Sequence, residues 1–522
     1  MDADVAVVGY GPTGMVMAAL LAQAGHRVVV LERYAGLYNL PRAAIFDDET
    51  MRTFARLGIA GEMLPKVHVQ RNYEWRNGHG ELLIEHSFAE TGPSGWAEWY
   101  MMYQPDLEDA LDRTCRGLGN IEIGYSSPVA AIRQDAAAVT LGVTGTGGET
   151  STVTARYVVA CDGGNSRVRE ALGVGQQDYG FSEPWMVCDF RLRRDAVLPT
   201  ARQLCDPRQP TSIISLGPHH HRFSFMLDSE HDFEVQRQPQ LVWNRVSAYL
   251  SPDDADLIRV ATYTFRSLVA QSWRAGRILL AGDAAHQMPP FLGQGMCSGI
   301  RDAQNIAFKL DLVLRGRSDP GLLDTYQAER EPHVRSVIEK GIELGRVQTM
   351  RDPLAAADRD RQLLANRAAH KTASKLKFPG LTAGLLAKPP AAARGELFLQ
   401  DIVADAGRQG RFDEVLGYGF MMLMTSSAYR DFQQRDVRAA LHRAGIRVIR
   451  LARASAGGLP AGTVIDVTGN YHRWLEKHDC CAVLVRPDFY VYGGASTTTS
   501  AGALARELLS DLARGHAGSM VP

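Results

Sequence analysis

Gly9, Gly11 and Gly14 stand at G-x-G-x-x-G spacing, with Pro12 and Thr13 between the last two, in a stretch running from Asp4 to Arg33. Residues of this type at this spacing suit one task, the close approach of backbone to a pyrophosphate. Gly9 permits a tight turn out of a strand, Gly11 removes the Cβ that would hold a phosphate off, and Gly14 lets a helix lie close on a sheet. The first helical turn offers unpaired N–H groups and partial positive charge, and Glu32 can accept hydrogen bonds from ribose hydroxyls. An acid there disfavours a 2′-phosphate, so FAD or NAD fits better than NADP. The motif alone does not choose between FAD and NAD.

Positioning these glycines takes a strand, a helix and a second strand. Val5 to Val8 form an apolar β-type run, a helical pattern follows, and Val28 to Leu31 form a second run that ends on Glu32. Two other stretches carry acids in comparable places, CDGGNSRVRE (161–170) and GDAAHQMPPFLGQGM (282–296). Asp162 and Asp283 each close an apolar strand and precede small residues. That suits a carboxylate reaching a ribose or ribityl hydroxyl while backbone N–H groups meet phosphate. No second complete G-x-G-x-x-G unit occurs, so a nicotinamide reductant would bind transiently, without a Rossmann domain of its own.

At 522 residues the chain is too long for one core, and two or three domains are expected. With 57 basic and 58 acidic residues, charge is balanced and nothing points to nucleic acid. The N-terminus MDADV carries acids where a signal peptide would be basic, and no apolar run reaches the roughly 18 residues of a membrane span. A cytoplasmic protein is expected, with its seven cysteines (115, 161, 188, 205, 297, 480, 481) reduced, because they are odd in number and lack C-x-x-C or metal spacing.

Residues 72–88 read as a hairpin turning at Asn77-Gly78, and MMYQPDLEDALDRTC as a helix with Pro105 early. From Pro184 to Arg266 longer strands such as TSIISL and HRFSFML suggest an inserted, mainly antiparallel sheet. RILLAGDAAHQMPP and CSGIRDAQNIAFKLDLVLRG then complete the mononucleotide fold. Helical patterns follow around Tyr326 to Glu343 and Ala355 to Lys377, FPGLTAGLLAKPPAAARGE reads as a linker, and the remainder reads as another α/β unit. The expected division is 1–72, 100–183 and 267–345 for the dinucleotide domain and 73–99 with 184–266 for a substrate domain. Helices and linker occupy 346–394, and 395–522 form the C-terminal unit.

The three motifs, in this order, resemble the FAD-dependent aromatic hydroxylases of the para-hydroxybenzoate hydroxylase type, over roughly Asp4 to Gly345. HQMPPFLGQGMCSGIRDAQN is most similar to the 3-(3-hydroxyphenyl)propionate hydroxylase branch. The resemblance implies a Rossmann-like FAD domain, an inserted substrate sheet and a thioredoxin-like C-terminal domain. It also implies FAD as cofactor and NAD(P)H as transient co-substrate, with O₂ reaching an aromatic ring through a C4a-hydroperoxyflavin. Gly9, Gly11, Gly14 and Glu32 would hold the ADP half, with Arg33 and Arg42 near the pyrophosphate. Gln104 and Val129 match cofactor-touching positions, and Asp283 would bond the ribityl or pyrophosphate region. Pro290, Gly293, Gly295 and Met296 would lie along the flavin ring. Asp162 with Arg167 would touch FAD and nicotinamide, and Arg222 is the one candidate for positioning flavin or stabilising charge.

Plainer readings apply elsewhere. His219 to His221 read as a polar loop before a strand, with no partners spaced for a metal. His286 reads as fixing its own loop, and Cys297 as packing. Cys480-Cys481 is not C-x-x-C, so the C-terminal unit reads as structural or as a dimer contact, leaving a homo-oligomer open. Trp96, Trp99 and Tyr100 could line substrate access, though such clusters are more often core. A tailoring monooxygenase acting on a polyketide or pyridine-like scaffold, by hydroxylation, epoxidation or Baeyer–Villiger insertion, stays open, as does a flavin-free NAD dehydrogenase.

Overall fold

The computed structural model describes residues 1–145, 147–370, 378–454 and 460–514. Its first sheet runs in the order Arg274–Ala275, Ile278–Leu280, Thr150–Ala160, Ala3–Val8, Val28–Leu31, Ile121–Gly124, and the pairs along Ile278 to Gly124 are parallel. Valine-rich strands buried on both faces are what a helix-covered parallel sheet demands. The register aligns Val8 with Leu31 and Ala160, and Ala160 with Leu280. The carboxyl ends of four strands therefore share one edge, and successive strands depart to either side of Ala3–Val8. That is the switch point at which such sheets bind ligands.

The second sheet has eight strands, in the order His286–Gln287, Ala255–Ala270, Gln176–Leu192, His220–Met226, Thr211–Ser215, Ala201–Cys205, Asn72–Asn77, Leu82–Ser87. It is antiparallel except where Ala201–Cys205 meets the hairpin. Gln176–Leu192 is a continuous 17-residue strand that crosses the boundary expected at 183/184. The helix Thr325–Gln348 likewise runs through the one expected at 345/346. Both elements pack against the two units at once, so no chain break marks where one ends.

A seven-stranded sheet with flanking helices forms the thioredoxin-like C-terminal domain, its strands Met421–Thr425, Arg447–Arg453 and Thr463–Asp466 parallel and its hairpin Ala482–Ala495 antiparallel. The stretch 378–394, expected as a linker, has no helix or strand yet is packed. Leu381, Leu385, Leu386 and Ala387 are buried, and Leu385 N–H donates to Glu329 at 2.7 Å. The helix expected to reach Lys377 spans Pro353–Ala368, and its last seven positions lie outside the described residues.

Candidate active site

Gly9, at φ +98°, makes the turn out of Ala3–Val8, and a Cβ there would sit 2.4 Å from Cys161 O. A Cβ on Gly14 would sit 2.1 Å from Gly9 O, so this glycine serves the packing of the helix Pro12–Gln23 on the sheet. At Gly11 a Cβ would meet nothing within 4 Å. The room at Gly11 faces a cavity of about 470 Å³ at the carboxyl edge of the parallel strands, extending to the second sheet.

Gly11, Pro12, Thr13, Glu32, Arg42, Gln104, Asp283, Pro290, Gly293, Gly295, Met296 and Arg222 all line this cavity. Two helices begin on it, Pro12–Gln23 and Gly295–Leu314, neither with a side-chain cap. Their orphan N–H groups present two positive dipole ends to one space, which suits a pyrophosphate at one and an electron-rich ring edge at the other. Asp283 is open to the cavity and makes no hydrogen bond among the described residues. Burial raises its pKa, against the opposing charges of His286 and Arg42.

The flanking contacts hold these groups still. Glu32 accepts from Tyr10 N at 2.7 Å and Tyr34 N at 2.9 Å, which fixes its carboxylate at the strand end. Gln104 accepts from Ala43 N at 2.5 Å and donates to Glu108 at 2.6 Å. His286 Nε2 lies 2.6 Å from Asp302, which also accepts from Gly282 N at 3.0 Å and Arg330 at 3.0 Å. Burial works against the Asp302 carboxylate, but His286 and Arg330 outweigh it and hold its pKa at about 2. The loop before Asp283 is thereby pinned, as expected for His286.

Three candidates lie off the cavity wall. Arg33 is exposed and stacks on Tyr34, 4.8 Å from the ring centroid. Val129 sits in the strand Val129–Gln134, two residues beyond Ser127, whose N–H donates to Glu32 O. Asp162 turns to the helix Arg167–Ala171, accepting from Val168 N at 3.2 Å, while Arg167 is exposed. Ser166 caps that helix and Asp162 Oδ2 takes a further N–H of its first turn, while Asp162 Oδ1 is buried without a partner among the described residues. Gly9 and Gly14 act from behind the wall. Trp96, Trp99 and Tyr100 are buried in the core and do not line the cavity.

Arg222 is held more tightly than its sequence context suggests. It donates to Asp189 at 2.6 and 3.1 Å, to Arg42 O at 2.5 Å and to Pro41 O at 3.0 Å. It is thus a positioning residue that ties the second sheet to the Pro41–Arg42 backbone. Arg169, in the 161–170 stretch, joins the two acid-bearing loops by donating to Ala284 O at 3.0 Å and Gly164 O at 2.9 Å.

Beyond the Gly293–Met296 loop the walls turn apolar, with Ile45, Val187, Ile214, Phe265, Met288 and Phe291. Tyr73, Gln203, Ser212, Ser224 and Tyr263 supply the polar groups. Apart from Met288 and Phe291, which lie in the 282–296 motif, none of these carried a motif, because they come from strands scattered through the chain. Apolar walls with polar groups at discrete points suit an aromatic ring.

This fold and site place the chain in the family of FAD-dependent aromatic hydroxylases, to which it belongs: the FAD binding domain family matches residues 2–341 and the HcaD C-terminal domain family residues 395–511. A Rhodococcus jostii protein described as a probable NADH-specific resorcinol 4-hydroxylase is 51% identical over 98% of this chain and 95% of its own. A 3-(3-hydroxy-phenyl)propionate/3-hydroxycinnamic acid hydroxylase of Mycolicibacterium smegmatis is 35% identical over 94% and 90%. A crystal structure of aklavinone-11 hydroxylase with FAD and aklavinone shares the fold at TM-score 0.78 and 24% identity, covering 98% and 99% of the two chains. The chain is an NAD(P)H- and FAD-dependent monooxygenase of phenolic substrates, and the room at Gly11, the two uncapped helices and Asp283, unpartnered among the described residues, fit that cofactor. No helix among the described residues is long and apolar enough to cross a membrane.

Proposed function

We propose that this chain is a cytoplasmic NADH-dependent hydroxylase of resorcinol-type phenols. The 51% identity to the Rhodococcus protein supports the substrate class, and one observation carries it: the substrate end of the cavity offers the hydroxyls of Tyr73, Ser212, Ser224 and Tyr263, while the Arg222 donors are committed to Asp189 and to the Pro41 and Arg42 carbonyls. A ring with two hydroxyls suits that wall better than a carboxylated side chain.

When bound, FAD supplies hydride acceptance from NADH and activation of O₂. Gly11, Pro12 and Thr13 would hold the pyrophosphate, Glu32 the adenosine ribose and Asp283 the ribityl or pyrophosphate region. Gly293, Gly295 and Met296 would present backbone to the ring. The apolar walls exclude water and fix the substrate's plane, which limits loss of the reactive oxygen as H₂O₂. We assign these tasks to residues 1–72, 100–183 and 267–345, the substrate walls to 73–99 and 184–266, and a supporting role to 395–522.

A second reading, hydroxylation of a hydroxyphenylpropionate, is favoured by Arg266, which lines the cavity without an ion pair among the described residues. The test is consumption of NADH and NADPH by the flavin-loaded protein with resorcinol, phenol, 3-(3-hydroxyphenyl)propionate and hydroxypyridines, with H₂O₂ measured in parallel. Fast, NADH-selective consumption with resorcinol and little peroxide is expected. Preference for the propionate, or peroxide alone, would sink the resorcinol reading.

A further inference from the structure

Tyr73, Gln203, Ser212 and Gln348 come from three strands and the end of the helix Thr325–Gln348, and are 2%, 2%, 8% and 0% exposed. They form one hydrogen-bonded chain. Gln348 Nε2 donates to Ser212 Oγ at 3.1 Å, the Ser212 hydroxyl donates to Gln203 Oε1, and Gln203 Nε2 donates to Tyr73 Oη.

With Gln203 Oε1 toward Ser212 and Nε2 toward Tyr73, the chain runs toward the tyrosine and leaves Gln348 Oε1 buried without a partner among the described residues. Ser212 has one proton, and Gln203 takes it. The Tyr73 oxygen receives the Gln203 N–H, so its acceptor role is filled. The Tyr73 proton has no acceptor among the described residues, and its ring lines the cavity. A buried O–H without an acceptor is costly, and a ligand oxygen would remove that cost. Burial holds the Tyr73 hydroxyl well above its ordinary pKa, with the Gln203 bond opposing, so it stays a donor. Tyr73 packs in a cluster with Ile45 and Leu292, beside the Gly293–Met296 loop.

We propose that Tyr73 is the hydroxyl-recognising residue of the cavity, donating to a ring oxygen of the substrate, with Gln203 and Gln348 as positioning residues that hold it in that role. The proposal rests on the phenol-hydroxylase reading and deepens it: the ligand must carry an oxygen acceptor where Tyr73 reaches. A dihydroxybenzene does so while leaving a second hydroxyl to activate the ring. A monohydroxy ring must choose between the two tasks.

The test compares resorcinol and phenol as ligands of the flavin-loaded enzyme, by perturbation of flavin absorbance and by KM in NADH oxidation. Y73F, at wild-type flavin content, should lose roughly tenfold of the preference for resorcinol over phenol, the worth of one such hydrogen bond. Q348M, which does not touch the cavity, should shift preference the same way by a smaller factor, and it decides the matter if Y73F fails to retain flavin. A preference unchanged within twofold in both variants overturns the proposal, as does equal weakening of both ligands. Wild-type enzyme whose NADH oxidation ignores every phenol removes the functional reading itself. A wild type preferring resorcinol beside a Y73F that prefers it equally removes the Tyr73 role alone.

Discussion

Arg222 and Asp189 meet directly across paired strands of the second sheet, Nε to Oδ1 at 2.6 Å and Nη2 to Oδ2 at 3.1 Å. Asp189 is fully buried, and it also receives Arg259 at 3.2 Å. Asp189 anchors the arginine so that its remaining donors grip the Pro41 and Arg42 carbonyls, and two guanidiniums on one carboxylate leave the cluster positively charged.

Arg222→Gln should therefore act on the cofactor through backbone. The Pro41–Arg42 segment loses two charge-assisted hydrogen bonds, and FAD affinity should fall by about tenfold or more. Asp189→Asn should do likewise by loosening Arg222. Flavin fluorescence released on dilution reads both, and unchanged retention in both variants would refute this account.

Gly11 and Gly14 should separate binding from folding. Gly11→Ala has room within the protein, so the apoprotein should melt like wild type while FAD affinity drops. Gly14→Ala places Cβ 2.1 Å from Gly9 O and should lower stability with or without flavin. Melting curves of both variants, stripped and loaded, test the distinction.

The C-terminal domain is docked by buried charge. Arg52 donates to Asp413 at 2.6 and 2.9 Å, and Arg486 donates to Glu329 at 2.6 Å beside Lys309, 2.8 Å from the same carboxylate. Asp413→Ala strands a buried guanidinium and should cost roughly 3–5 kcal/mol. Replacing Arg52 and Asp413 together by apolar residues should recover part of that loss in denaturant melts.

Asp48 gives stability a pH dependence. Burial, reinforced by the neighbouring Asp47 charge, raises its pKa to about 7, against the Ser94 N–H bond. The folded state therefore holds a proton that the unfolded chain has released, and this contribution is lost as pH rises from about 4 to about 7. Asp48→Asn should flatten the fall in melting temperature across that window. An equally steep fall in the variant would show that another group is responsible.

Much of the nucleotide half is legible in the chain because its information is local. Strand, glycines, helix and Glu32 lie within thirty residues, and each residue type has a backbone task that few alternatives meet. The hairpin at residues 72–88 is legible for the same reason, since Asn77-Gly78 needs only its neighbours. The substrate walls are not, because Tyr73, Gln203 and Ser212 become neighbours only when the hairpin joins the far edge of a sheet built mostly from residues 176–270.

The sequence by itself determined the βαβ unit and the order of the three motifs, since these depend on backbone conformation over short spans, and FAD followed from the resemblance those motifs carry. Tertiary structure alone decided which side chains are spent internally. Asp162 and Asp283 look alike in sequence, yet one accepts from the first turn of a helix and the other faces the cavity. Arg222 reads as a free cation until Asp189 is placed beside it. The physical reason is that a buried polar side chain bonds the nearest partner that packing delivers, and packing is set by contacts far apart in the chain.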